Sequence, residues 1–285
     1  MKTSLPCITC AIDSFVQLAE KGMIPADKHE EAMRRLLSFL SQMDYAQGPP
    51  WLGKEMHALI REVSQNPDPY KSLKQQFNSE MLGMYPEFKR LVTQSSNPFN
   101  TALRLAIAGN IIDFGPNHRF DHHKTISRVL NAELALDDST VLQQEIQRAQ
   151  TLLYLGDNAG EIVFDRLFLE TIDHPDVWFA VRGSAIINDA LEEDAREVGI
   201  ANLATIISNG DNAPGTILEN TSETFQELFN RADLVIAKGQ GNFESLNQVN
   251  KKIFFLLMIK CDQVAKVVGV PKGSYVVMQN QSYQF

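Results

Sequence analysis

From residue 146 onward the chain repeats one pattern. A short apolar run leads into a cluster of Gly, Asn, Asp or Lys, and then into apolar residues at helical spacing. The runs are LLYL (152–155), VWFAVRG (177–183), LATIIS (203–208), LVIAKG (234–239), KIFFLLMI (252–259) and SYVVMQ (274–279). Their length and their Val, Ile, Leu and aromatic content are those of buried strands. Alternation of such runs with helices predicts a mainly parallel sheet with helical crossovers. About six strands are expected, in a Rossmann-like three-layer α/β/α unit over residues 146–285. No GxGxxG follows the first strand and no Walker lysine motif occurs, so dinucleotide and P-loop readings fall away.

The first half has a different texture. Residues 13–21, 26–43 and 51–63 carry apolar residues at helical spacing, broken by Gly22, by Gly48-Pro49-Pro50 and by Asn66-Pro67-Asp68-Pro69. Residues 70–91 read as one helix or two, and an alanine-rich helix opens at Asn97-Pro98. The expected architecture is α/β, with an N-terminal helical bundle over 1–145 and the Rossmann-like domain after it. A length of 285 residues accommodates both.

In an open α/β sheet, ligands bind in the crevice outside the carboxyl ends of the strands. Here those ends are polar in succession. The first strand leads into Gly156-Asp157-Asn158-Ala159-Gly160-Glu161, the second into Arg182-Gly183 and then Asn188-Asp189. The third leads into NGDNAPGT (209–216) with Asp211, and the fourth into Lys238-Gly239-Gln240-Gly241-Asn242. Each cluster also has a local reading: Asp157 and Asn158 as a cap for the helix at Glu161, Asp189 as another cap, GDNAPG as a turn. Taken together, two aspartates, a carboxamide, a lysine and glycine-opened amides suit a divalent cation beside a phosphoryl group. Upstream, Asn110 and Asp113 stand at i, i+3 in GNIIDFG (109–115), on one face of an otherwise apolar helix. HRFDHH (118–123) reads as a solvated loop or helix start, and His57 as structural.

A net charge of −9 argues against general nucleic-acid binding, which needs clustered Lys and Arg. The longest apolar run is IFFLLMI (253–259), well short of a membrane span, and the N-terminus has no leader pattern. A cytoplasmic location is expected. Three cysteines make no disulfide framework. Cys7 and Cys10 form a CxxC, which fits half of a structural zinc site completed by Cys261 and a histidine, or two buried thiols; a redox pair would require a surrounding βαβ unit that the sequence does not show.

AGNIIDFG, GDNAGE, VRG with IND, GDNAPGT and AKGQGNFE, in that order along the chain, resemble the metal-dependent damage-control phosphatases. That family was long catalogued as domain of unknown function 89 and includes the acidic-residue methyltransferase-like proteins. The N-terminal CxxC, NPDPYKSLKQQFN (66–78) and KCDQVA (260–265) resemble its prokaryotic subfamily. The resemblance covers essentially the whole chain. It implies a helical bundle beside a Rossmann-like domain, and a divalent metal (Mg2+, Mn2+, Co2+ or Ni2+) held by Asp157, Asn158 and Asp189. It further implies phosphate contacts from Lys238, from Gly239 and from the Asp211 loop. Asn110 and Asp113 would face the substrate, with Glu161 and Asn188 supporting the ligands.

The expected activity is hydrolysis of small phosphorylated metabolites, sugar phosphates or related phosphomonoesters, as metabolite damage control. Two other classes stand beside it: an S-adenosylmethionine-dependent methyltransferase, and a non-enzymatic metal- or metabolite-binding protein. The expected partner is a small phosphorylated metabolite, with neither nucleic acid nor membrane.

Overall fold

A computed structural model describes residues 1–109 and 122–283. Three helices come first: α1 (Leu5–Glu20), α2 (His29–Gln42) and α3 (Pro49–Ser64). Prolines in the first turns of α1 and α3 sit where a backbone N–H has no helical acceptor to lose. Ala32, Leu36 and Leu40 on α2 and Leu52, Met56 and Ile60 on α3 recur every four residues, so each set forms one apolar stripe. These stripes close with Ala11 and Phe15 of α1 into a small core of their own.

The next helices belong to a different core. α4 (Lys71–Thr93) is a single helix that runs through Pro86. An interior proline costs about 3 kcal/mol in a helix. Burial of Met81, Tyr85, Phe88 and Val92 on one face offsets it. After α5 (Pro98–Gly109) and α6 (His122–Asn131), the chain enters β1 (Leu134–Asp137), α7 (Ser139–Arg148), β2 (Leu152–Leu155) and α8 (Ile162–Ile172). The alternation continues through β3 (Val177–Val181), α9 (Glu192–Glu197), β4 (Thr205–Ser208), α10 (Glu223–Arg231) and β5 (Leu234–Lys238). It finishes with α11 (Gly239–Leu246), β6 (Ile253–Met258), α12 (Asp262–Val268) and β7 (Tyr275–Gln279).

Among the described residues the strands form one seven-stranded sheet, ordered β1-β7-β6-β5-β2-β3-β4. β6 and β7 pair antiparallel and every other neighbouring pair is parallel. Side chains alternate between faces along β2. Leu152 and Tyr154 enter the core beneath α4 to α8, whereas Leu153 and Leu155 enter the core beneath α10, α11 and α12. Both faces are covered, which is why LLYL is apolar at every position.

Two features were not legible in the sequence. The sheet includes β1, before residue 146, because four residues of LALD with alternate burial carry too little apolar signal to read as a strand. Within residues 1–145, α1 to α3 hold a core of their own, while α4 to α7 pack as a layer on the sheet. No described helix is long and apolar enough to cross a membrane.

Chain order places the crevice. From β2 the chain moves outward through β3 and β4, then returns to the opposite side of β2 with β5. The loops after β2 and β5 therefore part at this point, and the gap between them is a ligand site by topology.

Candidate active site

Residues 156–161 leave β2 and reach α8 through Gly160, whose φ is 75°. The amide of Gly160 donates to Asn78 Oδ1 of α4 at 2.7 Å. Opposite lies the segment after β3. Asn158 and Asp189 form an isolated antiparallel bridge, with Ala190 N donating to the Asp157 carbonyl and Ala159 N to the Asn188 carbonyl, both at 2.8 Å. Asp157, Asn158 and Asp189 are thus held together by backbone. Ile187, two residues before Asp189, sits at φ 43°, a left-handed conformation that a β-branched residue adopts only under strain.

The capping readings do not hold. α8 has no side-chain cap bond from Asp157 or Asn158, and α9 starts at Glu192 rather than at Asp189. Instead Asn158 Nδ2 donates to Asp157 Oδ2 at 3.1 Å and to Glu161 Oε2 at 2.9 Å.

Arg182, at the end of β3, is the centre of the arrangement. Its Nε donates to Asp189 Oδ2 at 2.7 Å, and its guanidinium lies 3.8 Å from Asp157 Oδ1. It also reaches Thr216 Oγ1 at 3.3 Å and Asn242 Oδ1 at 3.4 Å. The Asp157 carboxylate rests on Gly239, the first residue of α11. Burial, then the nearby Glu161 and Asp189 carboxyls, push the Asp157 carboxyl up to about 7, against Arg182 and Lys260. Burial also raises Asp189, with Arg182 opposing.

Lys238 is placed differently from the sequence expectation. Its ammonium is fully buried and bonds Glu161 Oε1 at 2.7 Å and Asp165 Oδ1, so it points into the protein rather than into the open crevice. Asp165 in turn accepts from the Tyr154 hydroxyl at 2.7 Å. Burial alone would lower the Lys238 ammonium, but Asp165 and Glu161 outweigh it and the net shift is upward.

The third loop carries Asp211, to whose Oδ1 Lys54 of α3 donates. Asn209 Nδ2 and Asp211 Oδ2 are buried without a hydrogen-bond partner. α3 also donates from Arg61 to the Ala185 carbonyl at 3.1 Å, so this helix closes the crevice from the side of the helical unit. Asn188 contributes its carbonyl to the bridge described above. Asn110 and Asp113 lie outside the described residues, as does most of the 118–123 histidine segment.

Sequence reasoning placed Arg182 at a polar strand end without giving it a role, and passed over Asp165, Tyr154, Lys74 and Asn78 as site residues. One signal was present for Asp165: a carboxylate one turn after Glu161 in the otherwise apolar IVFDRLF. Lys74 is 1% exposed and pairs with Asp68 at 3.0 Å. Only the fold reveals that the helix bearing Lys74 and Asn78 buttresses the Gly160 turn.

The donor set fits a hard divalent cation. Four carboxyls (Asp157, Glu161, Asp165, Asp189) stand around Arg182 and Lys238; Glu161, Asp165 and Asp189 are buried, and Asp157 is half-buried. Carboxyl and carboxamide oxygens are donors that suit hard cations such as Mg2+ or Mn2+. The set counts two acids and a carboxamide; among the described residues no three His, Cys, Asp or Glu side chains are gathered to hold a metal ion. That includes Cys7, Cys10 and Cys261, which are free and share the walls of one cavity.

The damage-control phosphatase ARMT1-like domain model matches residues 1–276. A damage-control phosphatase of Pyrococcus horikoshii is 34% identical, over 99% of both chains. One of Archaeoglobus fulgidus is 30% identical, over 97% of this chain and 98% of its own. The crystal structure of a P. horikoshii protein described as DUF89 family superposes with a TM-score of 0.91, at 34% identity, over 99% of this chain and all of that one.

Proposed function

This chain belongs to the damage-control phosphatase ARMT1-like family, and on that premise we propose that it is a divalent-metal-dependent hydrolase of small phosphomonoesters. The observation that carries this is the backbone bridge that sets Asp157, Asn158 and Asp189 together beside the first residue of α11, at the switch point of the sheet. Asp157, Asn158 and Asp189 would hold the cation, with Mg2+, Mn2+, Co2+ and Ni2+ the candidates. Bound there, it supplies charge to offset the phosphoryl oxygens and polarises them.

The protein's own groups do the rest. Gly239 lets backbone approach the acidic cluster closely, and the N-terminal end of α11 favours an anion beside it. Arg182 holds Asp189 in place through its Nε and spreads the remaining charge of its guanidinium toward Asp157. Lys238 acts through Glu161 and Asp165: it fixes the carboxylate that receives the Asn158 amide, and so sets the orientation of Asn158. Lys54 anchors the Asp211 loop against α3.

Free cysteines fit a reducing compartment, and we place the enzyme in the cytoplasm. The test is phosphate release from sugar phosphates, short alkyl phosphates and p-nitrophenyl phosphate, on metal-stripped protein with each divalent ion restored. Metal-dependent release that Asp157→Ala lacks is the expected result. Absence of release from every ester with every metal, from folded protein, would overturn the reading.

A further inference from the structure

Asn158 and Asp189 meet at an isolated bridge, a single residue pair with no ladder to extend it. Two residues past each of them the backbone is held from elsewhere. Gly160 N donates to Asn78 Oδ1 at 2.7 Å, and Leu191 N donates to Asp194 Oδ2 at 2.9 Å. The two acceptors are themselves joined, Asn78 Nδ2 donating to Asp194 Oδ1 at 3.0 Å. A continuous chain of hydrogen bonds therefore runs from the Asn158 segment to the Asp189 segment by way of α4.

Asn78 is fully buried and has no bonding capacity left over. Oδ1 takes the Gly160 amide, and Nδ2 donates to Asp194 Oδ1 and, at 2.8 Å, to Glu197 Oε2. With an N–H on one side and carboxylates on the other, the carboxamide has a single workable orientation. Lys74, one turn earlier on α4 and also buried, stands 3.6 Å from Asp194 Oδ2 and counters its charge. A buried polar side chain with all its bonds made holds its neighbours in one arrangement. A metal site depends on such support, since outer partners that orient the ligands are worth about 10–100-fold in metal affinity or activity.

We infer that Asn78 and Asp194 are positioning residues for the candidate cation site. Acting through the backbone of Gly160 and Leu191, they set the separation of the two segments, so that Asn158 and Asp189 are in place before the cation arrives. The inference rests on the assignment of the cation to Asp157, Asn158 and Asp189, and not on the identity of the ester.

The pair can be exchanged almost isosterically. Asn78→Asp sets a carboxylate against Asp194. Asp194→Asn brings in a carboxamide that meets either Asn78 Nδ2 or Leu191 N donor to donor, whichever way it turns. The double variant restores a donor and an acceptor between the two positions at unchanged net charge, and the exposed Glu197 is free to turn to water. Metal-free protein is titrated with Mn2+ by calorimetry, beside turnover of p-nitrophenyl phosphate at increasing Mn2+. Each single variant is expected to raise the Mn2+ Kd about 10–100-fold, with half-activation moving in step, and the double variant to recover most of both losses. Leu36→Ala, in the core of α1 to α3, should lower the unfolding midpoint and leave the Mn2+ Kd unchanged.

Single variants that lose stability as Leu36→Ala does, yet keep the wild-type Kd, would overturn the inference. So would a double variant no better than either single one. Loss and recovery of Mn2+ affinity in protein that turns over no ester supports the positioning role and overturns the hydrolase reading. Wild-type protein that binds no divalent ion overturns the cation assignment, and this inference with it.

Discussion

Gly239 and Asp157 occupy space that no other pair of residues would share. A Cβ on Gly239 would stand 1.9 Å from Asp157 Oδ2 and 2.5 Å from its Cγ, and the glycine itself has φ 77°. The close approach and the left-handed backbone both require glycine. Together they set the carboxylate against the start of α11.

Gly239→Ala is expected to strike the site more than the fold. The left-handed backbone costs an alanine roughly 1–2 kcal/mol, and the clash must swing Asp157 away from Asn158 and Asp189. Phosphate release should fall roughly a hundredfold or more, as expected when a reacting group is misplaced by about 1 Å, while circular dichroism stays native. Alanine at this position with full turnover would show that the Asp157 position is not needed.

Asp157→Ala and Asp189→Ala should each abolish metal-dependent phosphate release. Metal that binds the folded state raises its stability by about 2.7 kcal/mol at a concentration a hundred times Kd. Wild-type protein should therefore melt higher on addition of Mn2+, and neither variant should shift. A variant that still gained wild-type stabilisation would place the cation elsewhere.

Lys238, Glu161 and Asp165 form a fully buried set, so removing the cation leaves two carboxylates facing each other. Lys238→Met is expected to cost about 3–5 kcal/mol. Tyr154→Phe removes one neutral-to-charged hydrogen bond and should cost about 1.5–3 kcal/mol. Denaturant unfolding of Lys238→Met with Asp165→Asn should recover part of the loss. Additive costs in that double variant would mean that the lysine and the aspartate are not coupled.

His57, buried on α3, supplies a pH signature away from the acidic cluster. Burial, reinforced by Arg61, lowers its imidazole to about 3. The unfolded chain therefore binds the proton first as pH falls below about 6.5. Stability is complete above that value and declines by about 1.4 kcal/mol per pH unit down to about 3. His57→Phe should remove this part of the acid slope. Parallel wild-type and variant stability curves between pH 6.5 and 4 would show that the imidazole is not buried neutral.

Strand-length apolar runs spaced by helices determine a layered α/β sheet on their own, because covering both faces demands continuous burial along each strand, as in LLYL and LVIAK. The polar strand ends were equally legible, since a sheet of that kind gathers its carboxyl edge in one crevice. Asp157, Asn158 and Asp189 could be named from that rule and from the resemblance. What the linear pattern left open was which way a polar side chain turns. Lys238 stands at a strand end like the others, yet the buried Asp165 on α8 draws its ammonium inward. Arg182 looked like one more strand-end charge until the loop after β4 brought Thr216 beside it and the return of the chain through β5 brought Asn242. The division of the helices was also hidden, because an amphipathic stripe states that a face is buried and not against what. Only packing decided that α1 to α3 close on themselves while α4 and α5 close on the sheet. Local periodicity is written in neighbouring residues; ion pairs such as Lys238 with Asp165 and cores shared between distant helices depend on contacts that only the assembled chain creates.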